Sequence, residues 1–402
     1  VKRGKSFIIV SVLLIGFLLT SCAPSSPTAS PSSSPTASPS SSSSSEPILI
    51  GLQAPLTGAF AQPGQEAKQS VLIAADLINQ KGGVLGRKIK IIVEDDASNP
   101  KDSALAAQKL VTQKVTAVIA TFGSSVLQPA ADIYEENKIP CIAYGATAVG
   151  LTMDKQRNYF FRTCGRDDAQ GQVFAQFVKA KGFTKIAIMH DNTTFAKGVA
   201  EEALKYLKAD LDSGKVKLVY FDAITPGEKD FSPAISKLLE AQPDVWFYTG
   251  YYTEAGLLIR QARTAGLSCP FVGPDAIGAE DFIKIAGLEY AKGAFYINSP
   301  NPSELNNDKA KEFFAAYKAQ YGNIPTITSS PHAVDALYAL VWAIGKASST
   351  DPDAIANALH TQMEGCIGLT GPIKFTERGD RENYPFNLYQ LDEEGNWTLY
   401  KF

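Results

Sequence analysis

Short apolar runs bounded by turn formers alternate with helix-period runs over most of the chain, and this alternation limits the fold more than any other feature. Ile48–Ala54 reads as a strand, and Gln65–Gln80 follows with Val71, Ala74, Ala75 and Ile78 on one helical stripe. Strands are expected again at Lys88–Asp95, Val115–Thr121 and Pro140–Tyr144, with helices near Asp102–Gln113 and Leu127–Glu136 between them. Beyond Arg162 the pattern restarts. It gives helix Asp167–Ala180, strand Lys185–His190, helix Ala196–Leu211, strand Val216–Asp222, helix Pro233–Glu240, strand Val245–Thr249, helix Thr253–Ala265 and strand Pro270–Val272. Val115–Ala120 and Val245–Phe247 are apolar at nearly every position, as strands covered on both faces must be. An α/β fold of two βαβ blocks with buried parallel sheets is implied. Helices at Asn306–Tyr321, Pro331–Lys346 and Pro352–Thr361 then lead into a β-like tail, Ile373–Lys401, and period alone assigns none of them to a block.

The start of the chain follows different rules. Lys2, Arg3 and Lys5 precede an apolar run, Phe7–Leu19, too short to cross a hydrocarbon layer of about 30 Å comfortably, so residues 1–21 read as an export signal. Leu19-Thr20-Ser21-Cys22 resembles a bacterial lipobox, which implies cleavage before Cys22 and lipidation of its thiol. Several acyl chains would then hold the protein to a membrane surface, since one chain binds only marginally. Residues 22–46 are almost wholly Ser, Pro, Thr and Ala, with SPTASPSSS occurring twice, and read as a disordered tether.

Charge and motifs exclude several functions. With 38 Lys+Arg against 41 Asp+Glu the chain lacks the basic footprint of a nucleic-acid binder. It contains no G-x-G-x-x-G, no G-x-x-x-x-G-K-[ST], no H-E-x-x-H and no G-x-S-x-G, so dinucleotide, ATP, zincin and hydrolase readings lose their support. No catalytic residue, metal site or cofactor is expected. Cys141, Cys164, Cys269 and Cys366 form no C-x-x-C, and three pairings among them stay open. Asp95-Asp96 and Asp167-Asp168 sit at a strand end and a helix start, where capping accounts for them. His190-Asp191 ends a strand without a nucleophile tied to it.

Four strand ends carry the candidate chemistry, because ligands of doubly wound sheets sit where loops lead into helix N-termini with free N–H groups. Thr121-Phe122-Gly123-Ser124-Ser125 and Tyr144-Gly145-Ala146-Thr147 offer glycines, hydroxyls and backbone donors that suit a carboxylate without a cation. In the second block, Thr249-Gly250-Tyr251-Tyr252 supplies aromatic walls, and Gly273-Pro274-Asp275 supplies a carboxylate able to pair an ammonium.

Several further segments carry a resemblance. Asn79-Gln80-Lys81-Gly82-Gly83-Val84-Leu85-Gly86-Arg87, Glu94-Asp95-Asp96, Gln128-Pro129-Ala130, Gly227-Glu228-Lys229-Asp230-Phe231 and Gln261-Ala262-Arg263-Thr264-Ala265-Gly266-Leu267 closely resemble the leucine/isoleucine/valine-binding proteins of ABC importers, in order over about residues 47–392. The resemblance implies a type I periplasmic-binding fold, two Rossmann-like lobes joined by three crossing segments with ligand in the cleft. It implies a first lobe of 47–165 plus 300–370 and a second of 166–299 plus 371–402. Ser124, Gly145 and Thr147, with Gly123 and Ala146 beside them, match positions that bind the ligand's α-carboxylate and assist its amino group. Asp275 matches an acid, usually Glu, that receives the ammonium, and Tyr251 matches a cleft aromatic. Phe195 stands where those proteins place Tyr, and Pro63 where an aromatic covers the side-chain pocket. Their disulfide would join positions held here by Ser98 and Gly123, so it cannot form.

The implied protein is a monomeric, exported lipoprotein and not an enzyme. It captures a free neutral, aliphatic or branched-chain amino acid by cleft closure and delivers it to permease subunits with a cytoplasmic ATPase. The alternatives are an amide- or urea-binding protein, or a ligand sensor, of the same fold.

Overall fold

The computed structural model describes residues 46–402 of the chain; the export signal, Cys22 and nearly all of the tether lie outside the described residues. Strands β1 (Ile48–Ala54), β2 (Ile89–Asp95), β3 (Ala117–Ala120), β4 (Cys141–Ala143) and β5 (Phe160–Arg162) form one sheet in the order β2-β1-β3-β4-β5, parallel throughout. Helices α1 (Ala61–Gln80), α2 (Pro100–Thr112), α3 (Ser124–Glu136) and the short α4 (Gly150–Met153) connect them. A second sheet contains β6 (Lys185–His190), β7 (Lys217–Ala223), β8 (Val245–Tyr248), β9 (Phe271–Gly273) and β10 (Phe295–Asn298). Its helices are α5 (Asp167–Lys181), α6 (Thr194–Asp212), α7 (Ser232–Ala241), α8 (Tyr252–Thr264), α9 (Glu280–Ala286) and α10 (Leu288–Ala291). Helices α11 (Asp308–Tyr321), α12 (Ser329–Ala347) and α13 (Pro352–Thr361) come next, followed by the hairpin β11 (Ile367–Gly368) and β12 (Gly371–Pro372). The antiparallel pair β13 (Asn387–Leu391) and β14 (Trp397–Leu399) completes the second sheet, in the order β14-β13-β10-β9-β8-β6-β7.

Each sheet is covered on both faces. In the first, α1, α11, α12 and α13 pack on one side and α2 and α3 on the other. In the second, α7, α8 and α9 pack opposite α5 and α6. Every residue of β3 and β8 is buried, which their unbroken apolar composition requires. Tertiary contacts, not period, assign α11 to α13 to the first sheet.

The chain passes between the sheets three times, at 163–166, at 299–307 and at 376–386. The last passage comes later than the expected boundary at 371, because Ile373 and Phe375 stay in the first core. They follow the β11/β12 hairpin, which the buried Asp335 pins by accepting from the N–H groups of Leu369 (2.5 Å) and Thr370 (3.2 Å). Ion pairs anchor the passages: Arg162 to Asp380 at 2.7 Å and Arg381 to Asp335 at 3.4 Å, both buried, and the half-buried Arg166 to Asp380 at 2.9 Å.

Helix α1 begins four residues before the expected start. Pro63 is tolerated there because first-turn N–H groups have no intrahelical partner, and Gly64 is required because a Cβ would lie 1.9 Å from the Pro55 carbonyl oxygen. The four body cysteines are free, and Cys141, Cys164 and Cys366 are buried.

Candidate functional site

Chain order reverses between β1 and β3 in the first sheet and between β6 and β8 in the second. At such switch points neighbouring loops run to opposite faces and leave a crevice beyond the strand ends. One aromatic ring comes from each of the four strand-to-helix junctions concerned: Phe60 after β1, Phe122 after β3, Phe195 in the first turn of α6 after β6, and Tyr251 after β8. Their centroids lie 4.3 Å apart for Phe60–Tyr251, 5.2 Å for Phe195–Tyr251, 5.6 Å for Phe60–Phe122 and 6.3 Å for Phe122–Tyr251. Tyr252 Oη donates to the Ala59 carbonyl at 2.7 Å, a second bond across the divide.

These contacts close over a cavity of about 30 Å³, lined by Phe122, Gly145, Cys164, Phe195, Tyr251, Asp275, Ala276, Ile327, Thr328, Ser329 and His332. That volume admits roughly one water. A larger hollow of about 490 Å³ opens between α1, α11 and α12, but no strand end of either sheet reaches it.

The first wall is built from neutral donors. Gly123 is the N-cap of α3 and offers no side-chain cap, leaving the first-turn N–H groups open. Ser124 Oγ accepts from the Ala148 N–H at 3.2 Å, which leaves its own O–H to donate elsewhere. At Gly145 a Cβ would stand 2.9 Å from Phe122 Cα, so only glycine lets these two loops meet. Behind them the fully buried Arg162 donates to the carbonyls of Ala146 (3.1 Å) and Ala148 (3.0 Å) while its charge is committed to Asp380. It shapes the loop without offering a free cation to the cavity.

The second wall is acidic. Asp275 opens a single 3-10 turn, Asp275–Ile277, and its N–H donates to Gln170 Oε1 at 2.9 Å. Gln170 Nε2 donates in turn to Asp167 Oδ1 at 3.1 Å, so one amide links the Asp167 carboxyl to the Asp275 backbone. Burial raises Asp275 to about 7, with Gln170 and the Ala276 N–H opposing in smaller measure. Asp167, fully buried, is raised well above the carboxylate range, first by burial and then by Asp275, against the lowering effects of Thr147, Arg162 and Gln170. Its Oδ2 makes no well-formed hydrogen bond. Two acids that resist ionisation in this manner favour an incoming cation, which relieves both.

Among the expected site residues, Gly145, Phe195, Tyr251 and Asp275 line the cavity. Gly123, Ser124, Ala146 and Thr147 are buried in the two loops immediately behind it. Pro63 is not in the lining; it sits in the first turn of α1, and Phe60 supplies the aromatic contact three residues earlier. The structural reading of the acidic pairs holds for Asp95, which accepts from the N–H groups of Leu56 (2.8 Å) and Ala97 (2.8 Å), and for Asp96, bonded to Thr121. Asp168 pairs with Arg166 at 2.6 Å, whereas Asp167 turns inward with Thr147 and Asp275 as its neighbours. Nothing local separates the two, since a helix first turn explains either. Ser329 and His332 carry no sequence signal, because period alone assigns α12 to no block and the resemblance marks no site residue on it.

A family model described as periplasmic binding protein matches residues 47–396. The chain is 35% identical, over 88% of its length and 92% of the relative's, to the leucine-, isoleucine-, valine-, threonine- and alanine-binding protein of Pseudomonas aeruginosa. It is 33% identical, over 88% and 93%, to the Leu/Ile/Val-binding protein of Escherichia coli. The structure of the branched-chain amino acid transporter substrate-binding protein LivJ from Streptococcus pneumoniae, in complex with isoleucine, superposes with a TM-score of 0.80 at 27% identity, covering 89% of this chain and all of that one.

Proposed function

Because the chain belongs to the periplasmic binding protein family, we propose that it is an exported solute-binding protein that encloses a neutral, aliphatic or branched-chain α-amino acid and delivers it to an ABC importer. The observation that carries this reading is one aromatic-lined cavity that has Asp275 in its lining with Asp167 next to it, and Phe122 and Gly145 in the same lining with the uncapped start of α3 directly after Phe122-Gly123. An amino acid zwitterion has two opposite charges one carbon apart. The acids suit its ammonium, and the Ser124 hydroxyl with the backbone donors of α3 and the Gly145–Thr147 loop suits its carboxylate. The four rings suit an apolar side chain, and the relatives named for Leu, Ile and Val agree.

Capture proceeds by closure of a first lobe, about 47–165 plus 300–375, on a second, about 166–299 plus 376–402. Ligand contacts made to both walls exist only in the closed form, so binding shifts the population toward it. No bond is made or broken. Lipidated Cys22 and the Ser/Pro tether hold the monomeric body near its permease.

A second reading, an amide or urea ligand, draws on Asp275 itself, because a carboxyl protonated up to about 7 can donate to a carbonyl. Thermal-shift measurements on the full chain with the twenty amino acids, urea and short amides test both. A ligand at about 100 times its Kd adds about 2.7 kcal/mol of stability. Shifts with neutral amino acids that vanish in Asp275→Asn support the zwitterion; shifts only with amides that survive it support the alternative.

A further inference from the structure

The cavity has one polar group that nothing within the described residues uses. The start of α12 enters the lining at Thr328, Ser329 and His332, opposite the acidic wall's Ala276 and Asp275. Its other polar side chains are committed. Thr328 Oγ1 donates to Asn298 Oδ1 at 3.1 Å, and Ser330 Oγ donates to Glu66 Oε1 at 2.7 Å. His332 Nε2 lies 2.6 Å from the Tyr384 hydroxyl and 3.5 Å from Ser299 Oγ, and the buried ring is held neutral. Ser329 alone is different: it is 5% exposed, it lines the cavity, and its hydroxyl has no hydrogen-bond partner.

A buried hydroxyl without a partner is rare in native proteins and costly to leave so. At a cavity wall the cost is removed by a water or by a ligand that displaces it and supplies the missing atom. The carboxylate and ammonium of the ligand are already assigned to Ser124 with α3 and to Asp275 with Asp167, which leaves the ligand's side chain. We propose that Ser329 is a specificity-determining residue whose hydroxyl hydrogen-bonds a hydroxyl or carboxamide on the side chain of the bound amino acid. The inference rests on the zwitterion reading and narrows it. The preferred ligand has a short apolar body against Ile327 and the aromatic rings and ends in one neutral polar group, as threonine or asparagine does.

Calorimetric titration of the full chain with two near-isosteric pairs, threonine against valine and asparagine against leucine, tests it. In the wild type the polar member of at least one pair binds about tenfold tighter or more, as hydrogen-bonding sites discriminate against analogues lacking the group. Ser329→Ala abolishes that margin while the apolar member binds as before or better, and Ser329→Thr, which keeps the hydroxyl, retains part of it. Apolar members binding as tightly as their polar partners in both pairs overturns the proposal even if Ser329→Ala does not fold. A margin that survives Ser329→Ala overturns it too. Failure of all four to bind overturns the zwitterion reading instead, an outcome distinct from valine and leucine binding without a polar preference.

Discussion

In the proposed reading the two walls of the cavity solve the same problem, holding one end of a small ligand, with opposite chemistry. The first uses an uncapped helix start, a serine hydroxyl and a loop braced by a neutralised arginine, and has no group that titrates near neutrality. The second uses the buried Asp167 and the half-buried Asp275, with Gln170 bridging the Asp167 carboxyl to the Asp275 N–H and both carboxyl groups pushed up by desolvation. Neutral dipoles can be buried ready for use at little electrostatic cost, whereas buried carboxylates are unfavourable until a cation arrives. Dependence on pH and a penalty in the empty state therefore belong to the second wall alone.

The largest effect expected from this contrast is on Asp275. Asp275→Ala weakens amino acid binding by about 3 kcal/mol or more, over a hundredfold by calorimetry, since the ligand's ammonium loses its closest acid. The same change raises the thermal midpoint of the empty protein at pH 8, where an unpaired buried carboxylate is removed. Equal or lower stability there would break the distinction between the walls.

The pH response comes next. Asp275 keeps its proton up to about 7 in the folded chain, against 3.8 for an ordinary aspartate, so the folded state holds more protons than the unfolded state between those values. Stability of the empty protein accordingly falls as pH rises from 3.8 to about 7, and Asp275→Asn flattens that slope. Binding of an ammonium requires the proton to leave, so affinity rises with pH below about 7, by up to about tenfold per unit, and levels off above. A flat affinity profile from pH 5 to 8 would contradict it.

Ser124→Ala sharpens the comparison from the other side. It weakens binding by about 1.5 kcal/mol, as for a hydrogen bond to a charged group, and leaves the slope of affinity against pH unchanged. The smallest effect is expected at the seam between the walls. Phe60→Leu removes the ring pair with Tyr251 at 4.3 Å and weakens ligand binding by about 1 kcal/mol, seen mainly as faster release in stopped-flow displacement.

Much of this was legible without coordinates. The alternation of apolar runs with helical stripes dictates parallel sheets covered on both faces, because backbone period and burial are local consequences of side-chain order. Loops rich in glycine and hydroxyls at strand ends marked Gly145, Tyr251 and Asp275, since a ligand crevice in such sheets lies where strands end. Packing decided the rest. Pro63 lies within the first turn of α1, and Phe60, just before that helix, makes the aromatic contact with Tyr251 instead. Asp167 and Asp168 are adjacent in sequence and equivalent as helix-start acids, yet one turns to Arg166 at the surface and the other to Thr147 and Asp275 in the interior. Ser329 came to the cavity on a helix that no local pattern assigned to either lobe. By itself the order of residues determined the periods, the strand ends and the apolar faces, which depend on near neighbours. Which side chains share one cavity, and hence which acids are raised and which hydroxyl is left unpaired, was decided only by distant segments packing against one another.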